Sequence, residues 1–258
     1  MCLAIVAWKV HPKYRLIVAA NRDEFHARPS QALKWWPDRP GLLGGRDLLA
    51  GGTWLAAHKC GRFATVTNYR EYQSKQAGLK SRGEIVTEFV VSNKNTMSFV
   101  KAIRGDHYMG FNLLASDGDS LCYVSNRSDG PLKLDPGIYG LSNAALDTPW
   151  SKVVQCRNGL QRLISADNVN ETALVRLLSD RKMDPAENVQ SNELPFEVAR
   201  RLTAPFIVSP KYGTRCTTAL TWTYAREMLL CEHRFDLSGK KTGKSRFRFE
   251  TSTNQAAG

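Results

Sequence analysis

The sequence predicts an α+β protein in which sheets are stacked between helical layers. Two observations lead to this fold class. Several runs, beginning with Cys2–Trp8, are apolar at almost every position, as expected of strands that are covered on both faces. Apolar residues at helical spacing recur between later strands. The 258 residues contain no repeat and no low-complexity linker, so we predict a single domain over residues 1–258.

The first third of the chain reads mainly as two hairpins. Strands are expected at Cys2–Trp8 and 15–20, joined by the turn HPKY. A second pair is expected at 53–57 and 62–68, joined through HKCG. The polar segment 21–52 between the hairpins is rich in proline and glycine, and we expect little regular structure there. Its two tryptophans, Trp35 and Trp36, are interpreted as anchors to the core.

The rest of the chain alternates between helical and strand patterns. Apolar spacing predicts helices around 85–90 and 97–103, and another around 174–178. Asp147, followed by Thr148 and Pro149, resembles a capped helix start. Further strands are expected at 110–115, 121–125, 138–142, 217–223, 228–235 and 246–250.

The charge and the apolar runs of the sequence indicate which kind of partner the protein binds and in which cellular compartment it lies. With 36 basic against 24 acidic residues, the net charge of +12 favours anionic partners. The basic residues are dispersed and no RNA-binding or helix-turn-helix pattern is present, so we favour a solvated basic surface over nucleic-acid binding. No run approaches the roughly 20 apolar residues of a membrane helix, and no signal peptide is recognisable. We therefore expect a cytoplasmic protein without stable membrane insertion. Its six scattered cysteines are expected to be free thiols, and a metal site is not expected.

Polar residues cluster where predicted strands end. The quartet 21–24 includes Arg22 and Asp23 and follows the second strand, while Asn68, Asn143 and Arg215 lie at the ends of other strands. Each of these residues alone is typical of a turn or a surface charge. Together they predict one rim that holds amide donors, a carboxylate and two guanidinium groups.

The same stretches resemble the NRDE family, which includes the transport and Golgi organisation protein 2 group. The matching runs, in order, are MCLAIVAW, LIVAANRDEFHARPS, GGTWLA, ATVTNYRE, GFNLL, YGLSNAALDTPW and YGTRCTT. The resemblance covers nearly the whole chain. It implies an N-terminal-nucleophile (Ntn) hydrolase-like fold, a four-layer αββα sandwich of two antiparallel sheets between helical layers.

The wider Ntn group includes the choloylglycine hydrolase and penicillin acylase enzymes. The resemblance implies that Cys2, Asp23, Asn143 and Arg215 match functional positions of that group. Asn68 is similar to an oxyanion-side position, and Arg22, directly before Asp23, is a weaker match. The implied catalytic set is therefore Cys2, Arg22, Asp23, Asn68, Asn143 and Arg215.

The chemistry of these residue types explains the pattern. Once Met1 is removed, the α-amine of Cys2, with a reference pKa of about 7.7–8.0, can act as a general base. A cation such as Arg22 or Arg215 would favour the thiolate, and Asp23 can hold the amine. Asn143 and Asn68 can stabilise an oxyanion. This predicts hydrolysis of an amide or thioester through an acyl-Cys2 intermediate, with no cofactor.

A second hypothesis is a carrier without catalytic activity. Some members of the NRDE family have been linked to haem trafficking and to lipid or acyl-CoA metabolism. The resemblance therefore also implies a pocket for haem, acyl-CoA or an acyl amide. Five histidines (His11, His26, His58, His107 and His233) are available as axial ligands of a non-covalent haem. The basic charge suits haem propionates or a CoA phosphate.

Overall fold

Two antiparallel sheets form the centre of the computed structural model, which describes residues 2–71, 78–189 and 194–252. The strands, in chain order, are β1 (Cys2–Trp8), β2 (Tyr14–Phe25), β3 (Ser30–Trp35), β4 (Leu42–Asp47), β5 (Leu55–His58), β6 (Arg62–Asn68), β7 (Phe111–Ser116), β8 (Leu121–Ser125), β9 (Leu132–Leu134), β10 (Gly137–Leu141), β11 (Tyr212–Thr223), β12 (Glu227–Phe235) and β13 (Lys241–Glu250). One sheet has six strands in the order β10-β1-β2-β11-β12-β13. The other has seven, β3 to β9 in sequence.

Helices cover the outer face of each sheet. They are α1 (Arg82–Val91), α2 (Thr96–Lys101), α3 (Ser151–Ser165), α4 (Glu171–Leu177) and α5 (Phe196–Arg201). Helices α1 and α2 pack on the seven-stranded sheet, whereas α3 and α4 pack on the six-stranded sheet. This αββα arrangement confirms the predicted fold class. None of the helices in the described ranges is long and apolar enough to cross a bilayer.

Three apolar layers hold the sandwich together. The central layer lies between the sheets and includes Trp8, Phe63 and Leu220. A second layer, containing Cys122, lies between the seven-stranded sheet and its helices, and a third, containing Cys156, lies under α3 and α4. All six cysteines are free thiols, and four of them are buried. Burial in these layers supplies most of the driving force for folding.

Strand β1 shows why an uninterrupted apolar run is needed. Ala4, Val6 and Trp8 belong to the central layer, while Leu3 and Ile5 lie in the layer under α3 and α4. Because successive side chains of a strand point to opposite faces, both sets must be apolar. The strand pairs with β10 on one side from Ala4 onward and with β2 on the other side along its whole length.

The prediction of little regular structure over 21–52 is wrong. Strand β2 continues through Phe25 because β11 pairs along its whole length, and β3 and β4 form a further antiparallel pair. The two tryptophans anchor this region, as interpreted from the sequence. Trp36 is buried and its Nε1 donates to Gly44 O at 3.0 Å, while the Trp35 ring meets Phe249 edge-on.

The predicted cap at Asp147 is also wrong. Helix α3 begins at Ser151, and the preceding Trp150 makes no side-chain capping bond. Asp147 has a φ of 59°, and its carboxylate instead accepts a hydrogen bond from Gly140 N at 2.7 Å. This contact fixes the turn after β10, which carries Asn143 toward the neighbouring sheet.

Candidate functional site

A cavity of about 250 Å³ lies where the two sheets meet at the start of β1. Cys2, Arg22, Asp23 and Asn68 all line it. These four residues come from β1, β2 and β6, so the fold brings together positions that are far apart in the sequence. We refer to this space as the Cys2 cavity.

Cys2 is the first residue of β1 and lies directly opposite Arg22 in the register of β1 and β2. Ser142 Oγ donates to the main-chain oxygen of Cys2 at 2.9 Å. Burial raises the pKa of the Cys2 thiol, and the charge of Asp23 adds to that effect. The charge of the amino terminus, the Asp23 N–H and the charge of Arg22, in decreasing order, lower this pKa. The thiol therefore needs a base to become a nucleophile.

Arg22 is a buried cation fixed on two sides. Its Nη2 lies 3.2 Å from Asp47 Oδ2, and its guanidinium lies 4.2 Å from the centre of the Trp54 ring. Arg28 shares the same carboxylate, with Nε at 2.6 Å. A planar guanidinium held by a carboxylate and an aromatic face has little freedom to reorient. Arg22 thus presents a fixed positive charge beside Cys2.

Asp23 is a buried carboxylate clamped by β11. Its Oδ1 accepts from Thr214 Oγ1 at 2.6 Å, and its main-chain oxygen accepts from the Tyr212 hydroxyl at 2.8 Å. Burial raises the pKa of the Asp23 carboxyl, while the charges of the amino terminus and Lys152 and the bond from Thr214 lower it. The carboxylate is therefore oriented firmly, and its ionisation depends on neighbouring cations.

Asn143 links the two sheets beside the site. Its Nδ2 donates to Asn68 O at 2.6 Å, and its own main-chain oxygen accepts from Arg70 N at 2.7 Å. Asn143 lines a larger neighbouring cavity of about 890 Å³, which we refer to as the Trp150 cavity, rather than the Cys2 cavity. The amide of Asn143 is thus engaged in structure, and its oxyanion role stays a prediction.

Arg215 is turned away from the Cys2 cavity. Its Nη1 donates to the main-chain oxygens of Phe25, His26 and Arg28 at 2.8, 3.1 and 3.2 Å. These bonds fasten the turn that follows β2. Arg215 is not among the residues that line the Cys2 cavity in the described part of the chain. Its predicted catalytic role is untested, and its contacts are those of a structural clamp.

Comparison with known proteins places the chain in a family. The family model described as Transport and Golgi organisation 2 matches residues 1–237. The chain belongs to this family. A relative from Bos taurus, described as Transport and Golgi organization protein 2 homolog, is 35% identical over 246 residues, which cover 84% of this chain and 88% of the relative. The homologue from Homo sapiens shows the same identity and coverage.

A solved structure supports the fold of this family member. It is the C2A mutant of a conjugated bile acid hydrolase from Clostridium perfringens, with a TM-score of 0.52 and 9% identity. The match covers 99% of this chain and 100% of that one. At this identity the likeness concerns the fold alone, and it agrees with the Ntn-hydrolase-like sandwich that the sequence predicts.

Two cations of the site were not anticipated from the sequence. Arg82, at the start of α1, lines the Cys2 cavity and donates from Nη1 to Gly110 O at 3.1 Å. Lys152, in the first turn of α3, is 2% exposed and lines the Trp150 cavity. A basic residue near a helix start normally indicates a solvated surface, so only tertiary packing reveals either one.

The histidines lie away from both cavities. His11 Nδ1 accepts from Lys13 N at 3.0 Å, His26 Nε2 lies 3.0 Å from Ser209 O, and His58 Nδ1 lies 2.8 Å from Cys60 Sγ. None of the five histidines lines the Cys2 or the Trp150 cavity. Within the described ranges no group of three or more His, Cys, Asp or Glu residues is arranged to hold a metal ion.

Proposed function

We propose that this family member is a cytoplasmic hydrolase that cleaves an amide or thioester bond with Cys2 as its N-terminal nucleophile. The observation that carries the proposal is the convergence of Cys2, Arg22, Asp23 and Asn68 on one cavity. A thiol, a fixed cation, a clamped carboxylate and an amide are the group types that acyl transfer through a cysteine requires.

The proposed reaction begins with removal of Met1, a residue that lies outside the described part of the chain. The freed α-amine of Cys2 takes the thiol proton, and the thiolate attacks the carbonyl carbon of the substrate. The tetrahedral intermediate expels an amine, which leaves with the proton from the α-ammonium, or expels a thiol. Water, deprotonated by the same amine, then attacks the acyl-Cys2 thioester and releases the acid.

Each lining residue has a role suited to its position. Arg22 lies opposite Cys2 and stabilises the thiolate by its charge. Asp23, clamped by Thr214, holds the α-ammonium that forms after proton transfer. Asn68 supplies a donor at the cavity wall for the oxyanion. The sandwich fold that this chain shares with a conjugated bile acid hydrolase is compatible with such a site.

The first experiment is to establish the state of the amino terminus and the fate of the acyl group. Intact mass of the untagged protein should be one methionine lighter than the full chain. Incubation with acyl-CoA thioesters and N-acyl amino acids should release acid, and acid quenching should trap a Cys2 adduct. Cys2→Ala should abolish both signals, and Cys2→Ser should lower the turnover strongly. Cys60→Ala, which removes another partly exposed thiol, is the matched control.

Retention of Met1, or full turnover by Cys2→Ala, would overturn the proposal. A Cys2→Ser protein that turns over slowly through an ester adduct would still support it, because a hydroxyl is a weaker nucleophile than a thiol.

A carrier for an amphipathic anion is the second candidate, and the Trp150 cavity favours it. The guanidinium of Arg70 lies 4.9 Å and Nζ of Lys152 lies 5.7 Å from the centre of the Trp150 ring, so two cations lie close to one aromatic ring. Haem propionates or a CoA phosphate would suit such a site. Titration with haem should shift the Soret band, and Trp150→Ala should weaken that binding. An unchanged Soret band at micromolar protein would contradict the haem carrier.

A further inference from the structure

Arg82 is a cation of the Cys2 cavity that the proposed reaction does not use. It is the first residue of α1 and lines the cavity together with Cys2. Its Nη1 donates to Gly110 O at 3.1 Å. A guanidinium carries five N–H donors, so this one carbonyl leaves most of them available to water or to a ligand.

The other arginines of the cavity are matched by carboxylates. Asp47 lies 2.6 Å from Arg28 Nε and 3.2 Å from Arg22 Nη2. Glu24 lies 3.8 Å from the same nitrogen of Arg28. Two of the negative charges at the cavity wall are therefore already engaged with two of its positive charges.

Arg82 has no such counter-charge in the part of the chain that the structure describes. No ion pair among these residues includes it. Glu71, an acid near the same end of α1, is engaged elsewhere: Arg127 Nη2 lies 2.7 Å from its carboxylate, and Gly110 N donates to it at 2.6 Å. The cavity therefore holds one guanidinium whose charge its carboxylates do not balance.

We infer that Arg82 is a specificity-determining residue, which binds a carboxylate of the substrate close to the scissile carbonyl group. The catalytic meaning of this contact rests on the proposed function. A planar guanidinium matches the two oxygens of a carboxylate and can donate two parallel charge-assisted hydrogen bonds to them.

The size of the cavity requires the carboxylate to be near the reacting bond. Its volume of about 250 Å³ is below the roughly 300–1,000 Å³ of pockets that enclose drug-sized ligands. It therefore encloses only the reacting end of a substrate, and Arg82 shares this space with the Cys2 thiol. A charge at the far end of a long acyl chain, or on the phosphates of CoA, would lie outside.

A carboxylate near the scissile bond can come from either side of that bond. In an N-acyl amino acid it belongs to the amine that leaves, whereas in the monoamide of a short dicarboxylic acid it belongs to the acyl group. Both present the same chemistry to Arg82, and matched ligand pairs separate them.

Binding to the Cys2→Ala protein tests the inference without turnover. Calorimetric titration compares N-octanoylglycine with N-octanoylglycinamide, and N-butylsuccinamic acid with N-butylbutanamide. In one of these pairs the carboxylate should bind on the order of tenfold more tightly than its neutral partner. Adding Arg82→Met should remove this preference, and Arg82→Lys should retain part of it. Arg104→Met, at a side chain that is 71% exposed, is the control.

Equal affinities within both pairs would overturn the inference without any change at Arg82. A preference that persists in folded Arg82→Met would also overturn it, because Arg22 or Arg28 would then bind the carboxylate. Should Arg82→Met fail to fold, Arg82→Gln takes its place, since its amide can still donate to Gly110 O while the charge is lost.

Turnover separates this inference from the proposed function. A preference for the carboxylate without hydrolysis of any ligand would support the Arg82 site and refute the hydrolase. Hydrolysis with the same kcat/KM for both members of each pair would support the hydrolase and refute the role of Arg82. If both hold, Arg82→Met should lower the kcat/KM ratio of the preferred pair on the order of tenfold, mainly through KM.

Discussion

At the scale of single residues, burial and charge oppose each other throughout the site. Burial raises the pKa values of the Cys2 thiol and the Asp23 carboxyl and lowers those of the Lys152 and Arg82 side chains. Opposite charges nearby counteract each shift, because their interaction is stronger where water is excluded. The site therefore holds several charges that depend on one another for their ionisation.

This balance predicts a pH effect on stability. Burial lowers the pKa of Lys152 from 10.5 to about 8. Between these values the unfolded chain binds more protons than the folded one, so this group makes the free energy of unfolding rise with pH. The rise amounts to about 3 kcal/mol at about 1.4 kcal/mol per pKa unit.

Urea unfolding between pH 7.5 and 10.5 checks this effect. The difference in free energy of unfolding between the unmodified protein and Lys152→Met should increase with pH over this range. The corresponding difference for Lys101→Met, at an exposed lysine of α2, should stay flat. A flat profile for Lys152→Met as well would show that the buried lysine keeps an ordinary pKa.

At the scale of elements, short connections between the sheets determine the geometry of the site. Thr67 Oγ1 donates to Ser142 O at 2.5 Å, and Asn143 Nδ2 donates to Asn68 O. These bonds join the end of β10 in one sheet to the end of β6 in the other. Because Asn68 lines the Cys2 cavity, these bonds hold one wall of that cavity in place.

Asn143→Asp should therefore destabilise the protein. The variant replaces a donor that bonds to Asn68 O by a carboxylate that repels it, in a position only 1% exposed. We expect a loss of about 1–3 kcal/mol in the free energy of unfolding, more at neutral than at acidic pH. Asn168→Asp, at an exposed asparagine whose side chain accepts a hydrogen bond, should change little. Equal stability of the two variants would contradict the structural role.

Gly83→Ala should also destabilise the protein, although alanine has a higher helix propensity than glycine. Gly83 lies in α1, where alanine is normally favoured by about 1 kcal/mol. Here a Cβ would lie 2.8 Å from Thr53 O and 2.9 Å from Thr53 N, both backbone atoms of the cavity wall. We expect a net loss of about 1–3 kcal/mol by thermal or urea unfolding. Glu88→Ala, on the exposed face of the same helix, is the control, and a stabilised Gly83→Ala would refute this contact.

The elements that the sequence patterns did not predict are those whose apolar residues are partly exposed or follow no clear period. Strand β9 exposes Leu132, and α5 exposes Phe196 and Val198, so neither shows a clear apolar period. Strands β3 and β4 lie in a segment whose prolines and glycines indicate loops. The long apolar strands and α1 were predictable because one or two of their faces must be covered.

At the scale of the whole molecule, the central apolar layer joins the two sheets. Leu220 is completely buried there. Leu220→Ala should cost about 2–5 kcal/mol, since it leaves a cavity between two sheets that are each held by their own helices. Calorimetry should show a fall in Tm of about 2–4 °C per kcal/mol. Leu49→Ala, at a leucine that is 70% exposed, should shift Tm by less than about 1 °C. Similar shifts for both would contradict the assigned layer.

Part of the candidate site was predictable because the ends of neighbouring strands meet. This principle brought Cys2, Arg22, Asp23 and Asn68 together correctly. Arg215 differs because Thr214 pairs with Asp23 while Cys216 pairs with Arg22, which leaves Arg215 as the extra residue of a bulge. A bulge redirects a side chain, and no local pattern in the sequence reveals it. Lys152 was missed because a lysine in the first turn of a helix normally indicates a solvated surface, whereas here tertiary packing buries it.

The buried cysteines give each outer layer a natural chemical probe. Cys122 lies between the seven-stranded sheet and its helices, and Cys156 lies beneath α3 and α4. Thiol-labelling rates at the two positions, read by peptide mass under native conditions, would report the opening of each side of the sandwich separately. The opening of the two outer layers can thus be measured separately without introducing any substitution.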